Sequence, residues 1–322
     1  MRCRPGWYGR GSGFAIGTRA GDAAIRVGGY RRGEKGSHLA KNAKPADVAH
    51  QLRLPPGPVD LASFDPRATP GFSGGKNAGK VALAGLKPTV SELQELLYAH
   101  GRTGGDRRVL LVVQGMDTAG KGGVMKHVVG MLDPQGVHIK AFKPPTPEER
   151  RRGFLWRIRN ALPAPGQVGV FDRSHYEDVL VARVNKLARP AVIERRYDAI
   201  TTFEQELVDS GCAVIKVMLH ISGEEQKARL MARLERPDKY WKYNPADVEE
   251  RAKWDAYQRA YEIALERCNT DAAPWYVVPA DRKWYRNLAV THLLIDQLTR
   301  MDLSWPPADF DVKLEKKRLA AT

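Results

Sequence analysis

The sequence predicts an α/β fold in which a five-stranded parallel sheet is covered by helices on both faces. Five short apolar runs alternate with amphipathic stretches, and a glycine-rich turn follows the first run directly. Because each strand is followed by a helix, successive strands run parallel, and crossovers of one hand place helices on both faces. A chain of 322 residues can bury the core of one such domain. We therefore expect a single doubly wound domain.

The elements follow from apolar periodicity and from turn residues. We expect an irregular but ordered arm in the Pro- and Gly-rich residues 52–80, and a first helix that begins near Pro88. Further helices are expected at 148–161, 177–185, 191–208, 223–235, 247–267 and 281–300. The predicted strands read RVLLVVQG, VHIKAF, VGVFDRS, CAVIKVMLHI and WYVVPA. Such continuous apolar runs are typical of buried parallel strands.

The basic charge is concentrated at the N-terminus. The chain carries a net charge of +15, and residues 1–44 contain ten lysines and arginines but only two acidic residues. We expect residues 1–45 to form a disordered tail, either a solvated extension or a tether for polyanions. Residues 46–310 are expected to form the domain, with a lid at about 229–255, and residues 311–322 a C-terminal tail.

Composition also indicates the cellular compartment and the kinds of partner that the protein binds. Cys3, Cys212 and Cys268 stand far apart, which favours neither a disulfide framework nor a zinc site. No apolar run is long enough to cross a bilayer. We expect a cytoplasmic protein with no membrane partner. Nucleic-acid binding stays an alternative because of the charge, but no recognition helix or RNA-binding signature is visible.

The segment QGMDTAGKGG, residues 114–123, predicts a phosphate-binding loop. Gly115, Gly120 and Lys121 match the G-x-x-x-x-G-K pattern, and the segment joins a strand to a helix. Backbone N–H groups of such a loop attract an anion, and glycines permit its close approach. The predicted phosphate-binding residues are Gly115, Ala119, Gly120, Gly122, Gly123 and Lys126, with Lys121 as the catalytic cation.

The pattern departs from the usual one at Gly122, where a metal-binding hydroxyl is expected. Asp117 lies inside the loop, where a carboxylate is tolerated beside phosphates only if a divalent cation lies between them. The strand VGVF delivers Asp172 to the same edge of the sheet. The sequence therefore predicts that Asp117 and Asp172 hold Mg²⁺. A salt bridge from Asp172 to Arg173 or Lys121 is the alternative.

Arginines supplement the loop. Arg173 follows Asp172 directly, and Arg229 and Arg233 lie four residues apart on one predicted helix face. The basic, aromatic segment that follows has prolines at 237 and 245, which is typical of a mobile lid that closes over phosphates. His175 is expected to serve packing or hydrogen bonding, because transfer to a phosphate needs no general base.

These motifs together resemble the second family of polyphosphate kinases. The segments VVQGMDTAGKGGVMKHVVGMLDPQGV, VFDRSHYEDVLVARV, EEQKARLMARLERPDKYWKYNPADVEERAKWDAY and APWYVVPADRKWYRN carry the resemblance, which spans about residues 52–310. It implies a three-layer α/β/α P-loop kinase fold with a helical lid, Mg²⁺ dependence and a homo-oligomer. It also implies that the catalytic positions are Asp117, Lys121, Asp172, Arg173, Arg229 and Arg233.

The resemblance further implies transfer of phosphate between inorganic polyphosphate and a nucleotide. The loop reading Q-G-M-D is similar to that of members that phosphorylate AMP, some of which continue to ADP, although Gly122 stands where many of those members carry Asp. An ATP-dependent kinase of a nucleoside monophosphate or other small molecule, on the same fold, remains an alternative.

Overall fold

A computed structural model describes residues 44–322. Its centre is a sheet of five parallel strands in the order β2-β3-β1-β4-β5. The strands are β1 (Arg108–Gly115), β2 (Val137–Ala141), β3 (Val168–Asp172), β4 (Cys212–His220) and β5 (Trp275–Pro279). The predicted fold class and all five predicted strands are therefore confirmed. The predicted tail of residues 1–45 lies almost wholly outside the described residues.

Twelve helices are present among the described residues. They are α1 (Pro45–Leu52), α2 (Lys76–Arg102), α3 (Lys121–His127), α4 (Pro147–Arg151), α5 (Trp156–Arg159), α6 (Val181–Val184), α7 (Pro190–Asp209), α8 (Gly223–Leu234), α9 (Ala246–Ala252), α10 (Trp254–Arg267), α11 (Lys283–Arg300) and α12 (Val312–Ala320). Short 3₁₀ turns lie between several of them, including His175–Asp178 and Pro237–Lys242.

The core lies on both sides of β1 and β4. Every β1 residue after Arg108 is buried, because strands flank it on each side and helices cover both faces. Helix α7 and helix α11 both pack against β4, and α11 also contacts α1, α2 and α3. This packing explains the uninterrupted apolar runs, since neither face of the central strands meets water.

Helix α2 is longer than the sequence predicts. It begins at Lys76 rather than near Pro88, and Pro88 lies inside it. Proline lacks a backbone donor and is therefore commoner in the first turn of a helix than in its interior. Ala82, Leu83 and Leu86, which precede it, pack against the core and extend the helix upstream. Tertiary burial therefore outweighs the local preference.

The predicted irregular arm is present, but it ends at Gly75. Arg53 forms an antiparallel bridge with Tyr276, and the Leu54 N–H donates to the carbonyl of Trp275 at 2.8 Å. Leu61 and Phe72 are buried against the core. The arm thus covers the free edge of β5, which would otherwise expose unpaired backbone groups.

Three predicted helices are interrupted. The stretch 148–161 forms α4 and α5 with an extended residue, Arg152, between them, and Lys253 separates α9 from α10. The stretch 177–185 forms a 3₁₀ turn followed by α6. Helix α12 lies within the predicted C-terminal tail. No helix in residues 44–322 combines the length and hydropathy that a membrane span requires.

Candidate active site

The phosphate loop, residues 115–120, joins the end of β1 to α3. Two of its glycines have backbone angles that favour glycine, with φ of +150° at Gly115 and +115° at Gly120. A Cβ atom on Gly115 would lie 2.9 Å from the carbonyl oxygen of Leu219. Within residues 44–322, the N–H groups of Thr118, Gly120 and Lys121 have no protein acceptor. Unpaired N–H groups in such a turn form an anion-binding concavity.

The Lys121 side chain folds back over the loop. Its Nζ donates to the carbonyl of Gly115 at 2.7 Å and lies 4.0 Å from Asp117 Oδ1. Burial lowers the pKa of Lys121, an effect that Asp117 opposes and Arg173 reinforces. A buried ammonium held by backbone carbonyls and one carboxylate has more to gain from an arriving phosphate than a solvated one.

Asp117 and Arg173 form an ion pair across the sheet edge. Arg173 Nη2 donates to Asp117 Oδ1 at 2.9 Å, and Nη1 lies 3.5 Å from Glu177 Oε2. Burial opposes the charge of Arg173, but Glu177 and Asp117 outweigh it and raise the pKa of the guanidinium. Both members of the pair remain about one-third exposed, at 38% and 35%. The pair therefore faces the cleft.

Asp172 ends β3 and lies beside Val113 in the neighbouring strand. Its side chain is partly exposed and makes no hydrogen bond with another residue of 44–322. Parallel register thus brings Asp172 to the edge from which the phosphate loop rises, as the sequence predicts. The alternative pairing of Asp172 with Arg173 or Lys121 is not formed among the described side chains, whereas Asp117 does pair with Arg173.

The two predicted lid arginines bond to protein groups. Arg229 donates to backbone carbonyls of the phosphate loop and of the turn after β5. Arg233 Nη1 donates to the carbonyl of Lys242 at 2.8 Å and approaches Asp247. Beyond them, in the predicted lid, the Trp241 side chain is 78% exposed. Lys126 is exposed in the last turn of α3.

Two cavities are lined by the phosphate loop, and a third adjoins one of them. A narrow loop pocket of about 50 Å³ is bordered by Asp117, Arg173 and Glu177. A basic cavity of about 660 Å³ lies beside Thr118, Gly120 and Gly123. Its lining includes two acids, Glu225 and Asp281, and seven basic side chains: Lys76, Lys80, His127, Arg229, Arg282, Lys283 and Arg286.

The third cavity is aromatic and arginine-rich, with a volume of about 600 Å³. It shares Arg173, Glu177 and Val181 with the loop pocket. Its lining includes Phe142, Phe154, Arg150, Arg152, Arg157 and Arg196, together with the acids Glu149 and Asp178. The loop pocket therefore adjoins the aromatic cavity directly, whereas the basic cavity is bordered by the next residues of the phosphate loop.

Several site residues were not predicted from the sequence. Glu177 lies beside Arg173, and burial raises the pKa of its carboxyl despite the opposing effect of Arg173 and Lys121. The Tyr261 hydroxyl accepts the Gly115 N–H at 3.1 Å. Gln226 donates to the Asp117 carbonyl. Only Glu177 had a sequence signal, its place five residues after Asp172 in the strand-end motif.

His175 is buried away from the cleft, as the sequence predicts. Its Nε2 lies 3.2 Å from Glu204 Oε1, and Glu204 also accepts from the Tyr176 hydroxyl and from Lys216. This network anchors the residues that follow Arg173 to helix α7 and strand β4. His175 thus supports the strand end from behind.

Known proteins that resemble this chain include two polyphosphate phosphotransferases. The AMP/ADP-polyphosphate phosphotransferase of Meiothermus ruber is 44% identical over 252 residues, which are 78% of this chain and 93% of that protein. The ADP-polyphosphate phosphotransferase of Rhodopseudomonas palustris is 37% identical over 260 residues, which are 77% and 88% of the two chains.

A solved structure is also similar. The crystal structure of polyphosphate kinase 2 from Arthrobacter aurescens superposes with a TM-score of 0.84 at 51% identity, over 89% of this chain and 99% of that one. The family model described as polyphosphate kinase 2 matches residues 75–305, which include the phosphate loop, β3 and the lid region. This chain belongs to the polyphosphate kinase 2 family.

Proposed function

We propose that this protein transfers a phosphoryl group between inorganic polyphosphate and a nucleotide, converting AMP to ADP and further to ATP. The observation that carries the proposal is the phosphate loop with Asp117, Lys121 and Arg173. The loop borders the basic cavity, and Arg173 borders the aromatic, arginine-rich one. The similarity to phosphotransferases that use AMP and ADP supports the choice of acceptor.

The basic cavity fits the polyphosphate chain. Burial and the neighbouring Arg229 lower the pKa of Lys283, and Arg286 and Lys76 act in the same direction. Burial and Arg229 likewise lower the pKa of Arg286 to about 10. Such crowding of cations is relieved by a bound polyanion, because each added phosphate oxygen offsets their mutual repulsion.

The aromatic cavity fits the acceptor nucleotide. Its volume of about 600 Å³ lies within the range of ligand pockets, roughly 300–1,000 Å³. Phe154, which is partly exposed, offers apolar surface for a base, while Arg150 and Arg152 offer charge for phosphates. Arg173, which borders this cavity and the loop pocket, is within reach of the transferred group.

The acidic residues at the loop fit Mg²⁺. Asp117 and Asp172 supply hard oxygen donors and both are partly exposed. No cluster of three or more ligating side chains occurs within residues 44–322. That is compatible with Mg²⁺, which often uses one or two carboxylates, substrate phosphates and water. When bound, the ion would neutralise charge on both phosphate chains.

The protein's own side chains and loop N–H groups would contribute to catalysis mainly by aligning the donor phosphate with the acceptor nucleotide. The loop N–H groups and Lys121 would hold the donor phosphate, and Arg173 would bind the transferred group. Arg233 and the outer lid would close over the cleft and exclude water, so that hydrolysis is suppressed. Phosphoryl transfer of this kind depends mainly on alignment and charge neutralisation.

The decisive experiment omits ATP. Purified protein is incubated with Mg²⁺, polyphosphate and either AMP or ADP, and the nucleotide products are separated. We expect ADP and ATP to form. Failure to phosphorylate either nucleotide, with transfer to AMP when ATP is the donor, would instead identify an ATP-dependent kinase. Gel-shift assays with and without residues 1–44 test nucleic-acid binding separately.

We further propose that the protein acts in the cytoplasm as a homo-oligomer. No disulfide involves Cys212 or Cys268, which are both buried as free thiols. Light scattering coupled to gel filtration measures the subunit count, and a monomeric mass at micromolar concentration would contradict the proposal.

A further inference from the structure

Three successive carbonyls of the phosphate loop accept hydrogen bonds from helix α8. Gln226 Nε2 donates to the Asp117 carbonyl at 3.1 Å. Arg229 Nη1 donates to the carbonyls of Thr118 at 2.8 Å and Ala119 at 3.1 Å. Both side chains are buried, at 2% and 8% exposure. The loop is therefore attached to the first turns of α8 at consecutive residues.

Arg229 uses all of its hydrogen-bonding capacity in this arrangement. Its Nη2 donates to the carbonyls of Ala280 at 2.7 Å and Asp281 at 2.9 Å, and its Nε donates to Glu225 at 2.8 Å. A guanidinium has five N–H donors, and protein oxygens accept all five. Arg229 thus has no donor left for a phosphate, unlike a residue that contacts substrate.

The loop conformation that these bonds hold is an unfavourable one. Thr118 has a φ of +64°, a left-handed conformation that is rare for a β-branched side chain. Its hydroxyl has no hydrogen-bond partner among the described residues. Such conformations persist only where the surroundings enforce them. The carbonyl bonds from α8 are the contacts made to Asp117 and Thr118, and Arg286 of α11 adds a bond to the Ala119 carbonyl at 3.2 Å.

The peptide geometry connects these bonds to phosphate binding. The N–H and C=O groups of one planar trans peptide point in opposite directions. Carbonyls of Asp117 and Ala119 held toward α8 therefore direct the N–H groups of Thr118 and Gly120 away from it. Those are N–H groups without an acceptor within residues 44–322.

We propose that Gln226 and Arg229 are positioning residues that set the anion-binding shape of the phosphate loop without donating a hydrogen bond to the substrate. The proposal rests on the proposed function only in taking a phosphate chain as the loop's ligand. It assigns Arg229 to a different task from the substrate-binding role that the sequence suggested.

The test compares Arg229→Lys and Gln226→Met with Lys227→Gln, an exposed position on the same helix. Arg229→Lys keeps the charge, but one ammonium has three donors and does not span both sets of carbonyls. Gln226→Met keeps most of the volume and removes the donor. Amide hydrogen exchange of residues 115–123 without substrate is measured first. Calorimetry with inorganic tripolyphosphate and Mg²⁺ follows.

We expect Arg229→Lys to speed exchange in the loop and to weaken tripolyphosphate binding by about 10- to 100-fold. The KM for AMP should stay within about twofold, since its proposed cavity has no contact with either residue. Gln226→Met should also speed exchange in the loop and weaken tripolyphosphate binding, but by less. If Arg229→Lys does not fold, Gln226→Met alone tests the proposal. Lys227→Gln should behave as the unmodified protein.

Unchanged loop exchange and unchanged tripolyphosphate binding in both variants would overturn the proposal. So would a lower melting temperature with normal binding in the folded fraction, because that pattern describes a merely structural contact. If the unmodified protein itself fails to bind tripolyphosphate, the proposed function fails. Hydrogen exchange still tests the attachment of the loop in that case.

Discussion

A buried ion pair behind the active site gives a stability prediction that can be worked out from the structure. Glu204 on α7 and Lys216 on β4 are 1% and 0% exposed, with Glu204 Oε2 2.6 Å from Lys216 Nζ. Lys216 also donates to the Tyr176 hydroxyl and to the Cys268 carbonyl. Burial would raise the pKa of Glu204, but Lys216 and His175 outweigh it, so the carboxyl stays ionised.

Glu204→Gln removes the charge that compensates Lys216 and keeps nearly the same shape. Breaking such a pair by removing one partner costs about 3–5 kcal/mol, because a buried charge remains uncompensated. For a domain of this size, at about 2 °C per kcal/mol, we expect the melting temperature to fall by about 6–10 °C. His175 and Tyr176, which follow Arg173 closely, would lose their anchor as well.

Urea denaturation of Glu204→Gln, of Lys216→Met and of the double variant measures the coupling free energy between the two side chains. Removing both charges should recover much of the lost free energy of unfolding, since no buried charge is then left uncompensated. The reasoning fails if Glu204→Gln loses less than about 1 kcal/mol. It also fails if the double variant loses the sum of the two single losses.

Three further predictions concern the site and its surroundings. Asp117→Asn should lower kcat by about 100- to 1,000-fold. The melting temperature should change little, because the partly exposed ion pair of Asp117 contributes at most about 1 kcal/mol. Asp198→Asn, at an exposed ion pair, is the control, and near-normal turnover of Asp117→Asn would contradict the proposed role of Asp117 in binding Mg²⁺. Burial lowers the pKa of His292 to about 4, whereas the unfolded chain titrates near 6.5. The unfolded state therefore binds more protons, and the free energy of unfolding should fall by up to about 3 kcal/mol as the pH drops from about 6.5 to about 4. Urea titrations at several pH values should show a weaker dependence of this free energy on pH in His292→Leu. An unchanged dependence would rule out His292 as its source. Tripolyphosphate binding should raise the lowered pKa of Lys283, so calorimetry in alkaline buffers of different ionisation enthalpy should detect proton uptake, which Lys283→Gln reduces.

The sequence predicted those parts of the site that depend on neighbouring residues. A strand, two spaced glycines and Lys121 define the loop locally, and a buried strand necessarily carries Asp172 to the sheet edge. The parallel sheet followed from the same alternation. These features could be predicted because apolar periodicity and the spacing of the loop residues depend on residues close together in the sequence.

The sequence did not reveal contacts between distant elements. Gln226 meets Asp117 across 109 positions, and Tyr261 meets Gly115 across 146. Lys216 interrupts an apolar strand, a visible signal, but its partner Glu204 lies on another element. At Pro88 a local signal misleads, because the proline suggests a helix start whereas burial of the preceding residues extends α2 upstream. Tertiary packing decides such cases, and no local pattern encodes it.

The surroundings of Asp117 lead to a further prediction about Mg²⁺. In this structure Arg173 and Lys121 neutralise the carboxylate, with Arg173 at 2.9 Å. A phosphate chain would compete for both cations, and an unpaired carboxylate about 4 Å from a phosphate is opposed by about 4 kcal/mol at moderate dielectric.

Asp117→Asn should therefore bind tripolyphosphate more tightly than the unmodified protein when metal is chelated. With Mg²⁺ present the order should reverse, because asparagine at position 117 lacks the charged oxygen that the aspartate offers to the ion. Calorimetry with and without Mg²⁺ measures both orders, and Asp198→Asn should shift neither. If Asp117→Asn binds more weakly in both conditions, the carboxylate acts through Arg173 rather than through a metal.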